Sequence, residues 1–522
     1  MSLPPRIPPG PPPGSPAVAG LPPNGAPDGP DGDIAALAKG GRTNFLGFLL
    51  RLAARIPFLF IAGRLYGAAE LGRFASALVV VELVALLCSL GEKRGLAQRL
   101  AEGEGKTHPT NVVFDGILLA TLFSSLAALF FWFVPAPLFP SGQYTWLDLL
   151  IVLAIPGYAL TEIVLAAQAY KYDIATTVRA RAVVEPWAIS IMAGVFYFVP
   201  ALQKSGLNLA YLVSIYAGLA VGLWSFLRSY GLPKGWRPRP RAMSRMTVRA
   251  LPLATADAIE WGTRRVDIFI LGLFAAPAAV GVYYVAQQVA SLPQKLKTSF
   301  EPILGPVITK NLKTKNYAKI AQQVCQVGFW ITAMQAGIAL ALGLPGEAVM
   351  GLVGPNFVGG TGALAFLLAA EVVAATAVVS EAALIYVARV RNLWISIATI
   401  AFQAMLTVGL ILLVETMDYP EAFKAAAAAI ALMIALGLAS LVKAMLLGRI
   451  LGHPVNNWRW AVVWAAAPAI VVGYGVTRLP EWAELLFGIP AILLAYGWVI
   501  WRKGFGPEDR VLFRRNGAPD AD

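Results

Sequence analysis

The sequence predicts an all-α protein that crosses a membrane with about fourteen helices. Of its 522 residues, 58% are hydrophobic and only 14% are charged, whereas a soluble domain has about 25% charged residues. The mean hydropathy of the chain is +0.66. Its apolar residues gather in segments close to the roughly 20 residues that span a bilayer as a helix. The chain is therefore a polytopic membrane protein and not a series of soluble domains.

Residues 1–43 come before the first apolar segment and predict a cytoplasmic tail. The tail begins with a stretch dominated by Pro and Gly, which cannot bury enough apolar surface to fold, so we expect disorder. It has no apolar segment after a basic start, so it does not resemble a signal peptide.

The rest of the sequence gives no indication of a cofactor. The two cysteines lie in apolar segments and the two histidines in predicted loops, so neither a disulfide framework nor a metal site is expected. No GxxxxGK[ST] phosphate-binding loop is present. The sequence therefore gives no indication of an ATP-binding site.

Fourteen apolar segments follow the tail and are divided by one basic linker. Six segments form a predicted first bundle at 44–228, the linker occupies 229–250, and six more form a second bundle at 251–448. Two extra helices follow at 449–502, before a cytoplasmic tail at 503–522. The segments are 44–65, 72–91, 112–134, 146–169, 182–200, 207–227, 251–274, 279–305, 320–343, 362–388, 393–414, 422–446, 459–477 and 483–501.

The basic residues concentrate in alternate loops. The rich loops contain groups such as Lys93, Arg94 and Arg99, or Lys310, Lys313 and Lys315. The other loops contain only a few basic residues, which are Arg64, Arg73, Lys204, Lys424 and Arg478. Because Lys and Arg favour cytoplasmic loops, this alternation predicts that both termini are cytoplasmic. It also accounts for the net charge of +13 without a nucleic acid partner.

A weak internal repeat relates the two predicted bundles. When the chain is shifted by 209 residues, residues 54–77 fall on 263–286, with Arg55 on Arg264 and Gly72 on Gly281. Six segments per half give both halves the same orientation, so they are parallel repeats about an axis along the membrane normal. Transporters of this architecture bind their substrate between the halves.

The segment "DAIEWGTRRVDIFILG", residues 257–272, places charges inside the seventh span. A charge at the centre of a bilayer costs about 2.5–3.5 kcal/mol on insertion scales. At 100° per residue, four of the charged residues share a stripe about 80° wide, and Arg265 points elsewhere. Such a stripe must face a partner or an aqueous cavity. The four are Asp257, Glu260, Arg264 and Asp267.

Two interpretations of these charges remain open: an ion-pair lock between the halves, or a cavity that binds a phosphate-type anion. Arginine favours the second, because its planar guanidinium donates bidentate hydrogen bonds to phosphate. Arg51 and Arg55 share one face of the first span at i, i+4 spacing. We therefore expect Arg51, Arg55 and Arg264 to bind substrate, with Asp257, Glu260 and Asp267 as ion-coupling or gating residues.

The segment "GRLYGAAELGRFASALVVVELVALLCSLGEKRGLAQRLAE", residues 63–102, resembles the first two helices of polysaccharide and lipopolysaccharide flippases of the MOP exporter superfamily. The resemblance implies two six-helix bundles around a central cavity in the bacterial inner membrane. It implies alternating access that translocates an undecaprenyl-diphosphate-linked oligosaccharide for exopolysaccharide or lipopolysaccharide biosynthesis. The implied partners are that lipid-linked oligosaccharide, membrane lipids, a polysaccharide polymerase and other assembly proteins.

Other functions compatible with this pattern are a lipid II flippase and a drug/cation antiporter of the same fold. A cation exporter should have an acidic cavity, which the paired arginines oppose. A membrane-embedded polymerase or ligase should have a large outer loop with catalytic Arg or His. The longest predicted outer loops, 344–361 and 135–145, contain neither residue. We therefore expect a transporter and not an enzyme.

Overall fold

A computed structural model describes residues 56–102, 108–233, 235–238, 240–506 and 509. Every regular element within these residues is helical, so the all-α prediction is confirmed. The predicted tail at 1–43 and both Arg51 and Arg55 lie outside the described residues.

The helices of the first half are α1 to α8. Gly67, with φ of 81° and ψ of 177°, separates the first two, because glycine has no Cβ to oppose that conformation. A 3₁₀ turn at Asp148–Leu153 leads into α5, and a π-helical turn at Arg179–Val184 joins α6 to α7. The helices are α1 (from Ile56, ending in the π turn Ala62–Tyr66), α2 (Gly67–Cys88), α3 (Glu92–Glu102), α4 (Pro109–Phe133), α5 (Ala154–Tyr170), α6 (Ile174–Val178), α7 (Glu185–Tyr197) and α8 (Gly206–Tyr230).

The second half contains α9 to α15, and α16 to α18 follow it. A 3₁₀ turn, Pro355–Gly360, precedes α13, and a π turn, Glu484–Gly488, joins α17 to α18. The helices are α9 (Pro240–Phe274), α10 (Pro277–Lys313), α11 (Tyr317–Gly343), α12 (Gly346–Val353), α13 (Thr361–Val387), α14 (Arg389–Thr416), α15 (Ala422–Leu451), α16 (Ala461–Val476), α17 (Glu481–Ala483) and α18 (Ile489–Val499).

Within the described residues, nine helical segments are long and apolar enough to cross a membrane, by length and composition. They are Ile56–Cys88, Pro109–Phe133, Asp148–Tyr170, Gln203–Tyr230, Tyr317–Gly343, Pro355–Val387, Arg389–Thr416, Ala422–Leu451 and Glu481–Gly504. The first of these contains α1 and α2, so it covers the described part, 56–65, of the first predicted span and most of the second. Ala461–Val476 is apolar but shorter.

The three remaining predicted spans are helical but lie outside those nine segments. The span at 182–200 corresponds to α7, which the π turn separates from α6. The spans at 251–274 and 279–305 lie in α9 and α10, whose 35 and 37 residues include polar extensions. At 1.5 Å per residue each helix is about 53–55 Å long, which exceeds the thickness of a bilayer. The predicted linker at 229–250 is therefore helical from Pro240 onward and continuous with the seventh span.

The two halves meet where α2 packs against α9 and α10. A methyl group on Gly72 would overlap the carbonyl oxygen of Pro277, and one on Gly281 would overlap the carbonyl oxygen of Ala68. The same 209-residue shift relates Gly72 to Gly281 and Ala68 to Pro277. The contact is therefore self-complementary, as expected for two repeats related by a pseudo-two-fold axis. It lies near the end of the helices that is predicted to be outside.

Additional contacts close the same end of the molecule. Arg64 Nε donates to the carbonyl of Leu352 at 3.1 Å. Leu352 lies in α12, between the ninth and tenth predicted spans. Lys424 Nζ donates to the carbonyl of Phe274 at 3.2 Å and lies 2.8 Å from Glu421 Oε1. A cation at the carboxyl end of α9 opposes the partial negative charge of that helix end.

Candidate functional site

The charged stretch of the seventh predicted span lies in α9. This helix contacts α2 of the first half and α10, α14 and α15 of the second half. A helix with neighbours on several sides buries more than one face. The charged side chains of α9 therefore have different partners, although four of them share a stripe on a helical wheel.

Arg265 is the charged residue of α9 that reaches the first half. Its Nη2 lies 3.9 Å from Glu82 Oε2 on α2, and its Nη1 donates to Gln287 Oε1 on α10 at 3.2 Å. On the helical wheel, Arg265 lies outside the stripe. In the structure, its side chain faces α2. This pair joins the two halves within the predicted membrane region, and the sequence analysis did not include it among the site residues.

Asp267 is fully buried between α9 and α10. Its Oδ2 accepts a hydrogen bond from Tyr283 Oη at 2.5 Å and one from Gln287 Nε2 at 3.2 Å. Its Oδ1 accepts from the backbone N–H of Ile268 at 2.9 Å. Because Gln287 also accepts from Arg265, one continuous set of hydrogen bonds joins Asp267 to the contact between the halves. Asp267 thus holds α10 against α9.

Glu260 and Arg264 remain on the open surface of α9. Arg264 Nη2 lies 3.6 Å from Glu260 Oε1, with side-chain exposures of 33% and 52%. Asp257, one turn earlier, is buried. The structure therefore keeps Glu260 and Arg264 together but gives Asp257 and Asp267 a different environment. The assignment of all four to a substrate or coupling site stays a prediction.

A second charged cluster lies within the first half. Arg181 is in the π turn between α6 and α7, where Nη1 donates to both carboxylate oxygens of Glu185 at 3.0 Å. Its Nη2 pairs with Glu162 of α5, and its guanidinium lies 4.5 Å from the ring centroid of Tyr158. The apolar segment predicted at 182–200 does not include Arg181, because the helix begins earlier than the apolar run.

In the second half, Lys443 of α15 likewise pairs with a carboxylate inside the bundle. Its Nζ donates to Glu381 Oε2 at 2.9 Å and to Ser396 Oγ at 3.2 Å, and it joins α15 to α13 and α14. The side chain is buried. Such paired charges stabilise the packing of helices within each bundle, whereas Glu260 and Arg264 make an exposed pair that a ligand can displace.

The exposed Glu260–Arg264 pair has a chemistry that suits the binding of an anion. A guanidinium held by one carboxylate at 3.6 Å makes no close bidentate contact with it, so its planar set of donors is available to a better acceptor. Phosphate oxygens offer such an acceptor geometry. An exposed pair of this kind would be costly within lipid, so charges in membrane spans face the bundle interior or an aqueous cavity.

Comparison with sequence families gives one match, and comparison with curated proteins gives none. A family model described as "Polysaccharide biosynthesis protein" matches residues 61–339. That range extends from α1 through α11 and includes every charged residue of α9 discussed above. No curated protein sequence matches the chain.

Several solved structures are similar in fold. An inward-facing multidrug resistance MATE family transporter of the MOP superfamily has a TM-score of 0.58 at 13% identity, over 80% of this chain and 94% of that one. A MOP superfamily transporter from Pyrococcus furiosus has a TM-score of 0.55 at 14% identity, over 81% and 96%. A MATE structure in complex with MaL6 has a TM-score of 0.55 at 14% identity, over 81% and 97%. At these identities the likeness concerns the fold.

Proposed function

This chain belongs to the family of polysaccharide biosynthesis proteins, and we propose that it is a flippase for a lipid-linked oligosaccharide. The family and the MOP transporter fold are those of membrane transporters. We propose that the substrate is an undecaprenyl-diphosphate-linked oligosaccharide, that the membrane is the bacterial inner membrane, and that the product enters exopolysaccharide or lipopolysaccharide biosynthesis.

The observation that carries the proposal is the open pair Glu260–Arg264 on α9. Arg264 corresponds to Arg55 under the 209-residue repeat, so we propose that both arginines face one central cavity and bind the diphosphate. Glu260 then holds Arg264 when substrate is absent, and the diphosphate displaces it. The exchange of one anion for another keeps Arg264 paired throughout the cycle, which lowers the cost of holding its charge in the membrane.

The roles of the other predicted residues follow from the contacts of α9. Asp267 is held by Tyr283 and Gln287, so we propose that it fixes α10 and acts on gating through that contact. Asp257 is buried one turn from Glu260. We propose that Arg51, one turn from Arg55 in the sequence, contributes a further contact to the diphosphate or the first sugar.

We expect Arg264→Ala to reduce translocation of undecaprenyl-diphosphate-linked oligosaccharide in proteoliposomes to background, while the protein still inserts. Arg264→Lys should restore only part of the activity, because a point charge lacks the bidentate guanidinium. Glu260→Gln should retain binding of the lipid diphosphate but release it more slowly, since the competing carboxylate is gone. Translocation is measured by access of an external glycosidase to the sugar.

Arg391→Ala is the matched control, because Arg391 is an exposed arginine at the start of α14 that does not lie on α9. It should transport at the wild-type rate. Wild-type transport by Arg264→Ala would contradict the site assignment. Lipid II carried in preference to other lipid-linked sugars would support the lipid II alternative, and export of a cationic dye would support the antiporter.

A further inference from the structure

A groove of about 910 Å³ lies on the second half, against α13, α15 and the segment that follows α15. Its walls are apolar and include Val372, Val373, Leu441 and Met445. Leu441 and Met445 are exposed at 62% and 56%, although both lie in a helix apolar enough to cross the membrane. The groove therefore presents an apolar surface that lipid can enter. Neither Glu260 nor Arg264 lines it, so it is separate from the site on α9.

The segment that follows α15, residues 452–458, lines one end of the groove. Asn457 is buried, its Nδ2 donates to Thr332 Oγ1 at 2.9 Å, and its Oδ1 accepts from Thr376 Oγ1 at 2.5 Å. The backbone N–H of Asn456 donates to Cys325 Sγ at 3.3 Å. These bonds tie the segment to α11 and α13. The end of the groove thus has a fixed shape.

This end of the groove carries positive charge and polar donors. Arg449 lies in the last turn of α15, and His453 follows four residues later; both line the groove. Among the described residues that line it, none is Asp or Glu. Trp458, 46% exposed, lies at the same end, where tryptophan favours the membrane interface. The alternation of basic loops predicts that this end is cytoplasmic.

We propose that this groove binds an anionic phospholipid of the cytoplasmic leaflet. The phosphate lies at Arg449 and His453, Trp458 lies beside the glycerol region, and an acyl chain follows Leu441 and Met445 into the membrane. Charge complementarity selects an anionic headgroup, since basic pockets between helices on the cytoplasmic side bind such lipids. The apolar walls select a diacyl lipid over a soluble phosphate, and the bound lipid covers surface between α13 and α15.

The test is native mass spectrometry of the full-length protein in detergent, titrated with dioleoylphosphatidylglycerol or with dioleoylphosphatidylcholine. Arg449→Ala should weaken binding of dioleoylphosphatidylglycerol about fivefold, as expected for loss of one arginine near a lipid phosphate. Binding of dioleoylphosphatidylcholine, in which the choline offsets the charge of the phosphate, should weaken less. Ala444→Trp, which fills the groove without removing charge, should weaken binding of both lipids.

Arg391→Ala again serves as the matched control and should bind both lipids like the wild-type protein. Thermal midpoints identify any variant that is not folded, and the Ala444→Trp arm then still tests the groove. Equal loss in Arg391→Ala would mean that the effect is general surface charge and would overturn the proposal. Unchanged binding in both Arg449→Ala and Ala444→Trp would also overturn it.

Discussion

At the residue scale, the charged residues of α9 form two groups. One group contacts neighbouring helices, and the other lies on the proposed binding surface. Arg265 and Asp267 are held by neighbours on α2 and α10, whereas Glu260 and Arg264 hold each other on an open face. The helical wheel predicted that these charges need partners. It could not predict which partners, because the wheel does not show that α9 has neighbours on several sides. The sequence analysis therefore left Arg265 out of the site, although it pairs with Glu82 across the two halves.

The Glu82–Arg265 contact makes a prediction for a double-mutant cycle. Arg265→Ala leaves Glu82 without its cation, so the thermal midpoint should fall more than in Glu82→Gln. The double variant should regain part of that loss, because neither charge then lacks a partner. We expect a coupling of about 0.5–3 kcal/mol, toward the low end because both side chains are partly exposed. Additive effects of the two substitutions in detergent unfolding would show that the pair does not couple the halves.

At the element scale, the apolar segments predicted helices well and helix ends poorly. Segment length follows the membrane, but a helix can continue into water with polar residues, as α9 does from Pro240 and α10 does to Lys313. The apolar run also did not predict the π turn before α7, because that turn begins outside the run. Gly72 and Gly281, matched by the repeat alone, proved to lie face to face.

The contact between α2 and α10 predicts the effect of a single methyl group. Gly72→Ala would overlap the backbone of α10, so the halves should separate at the end predicted to be outside. Double electron–electron resonance between spin labels at Trp146 and Tyr419, both exposed, should report a larger population at long distance. Gly194→Ala is the control, because nothing lies within 4 Å of the added atom. An unchanged distance distribution in Gly72→Ala would show that this contact does not hold the halves together at that end.

At the scale of the whole molecule, the repeat and the alternation of basic loops give one consistent arrangement. Two halves in the same orientation meet at a self-complementary contact, and α16 and α18 pack on each other and on α11. Arg181 and Lys443 pair with carboxylates within the bundles. The alternation does not depend on these two residues, because the sequence between the sixth and seventh predicted spans and that between the eighth and ninth are both basic.

The orientation itself is the last prediction. Leu232, before α9, and Gly359, before α13, are both exposed, and the alternation of basic loops predicts that they lie on opposite sides of the membrane. Each is replaced by cysteine in a background where Cys88 and Cys325 are alanine. A membrane-impermeant maleimide added to intact spheroplasts should label Gly359→Cys and leave Leu232→Cys unlabelled until the membrane is opened. The cysteine-free protein must still transport and must stay unlabelled. The reverse pattern would place both termini outside, and it would also move the groove at Arg449 to the outer leaflet.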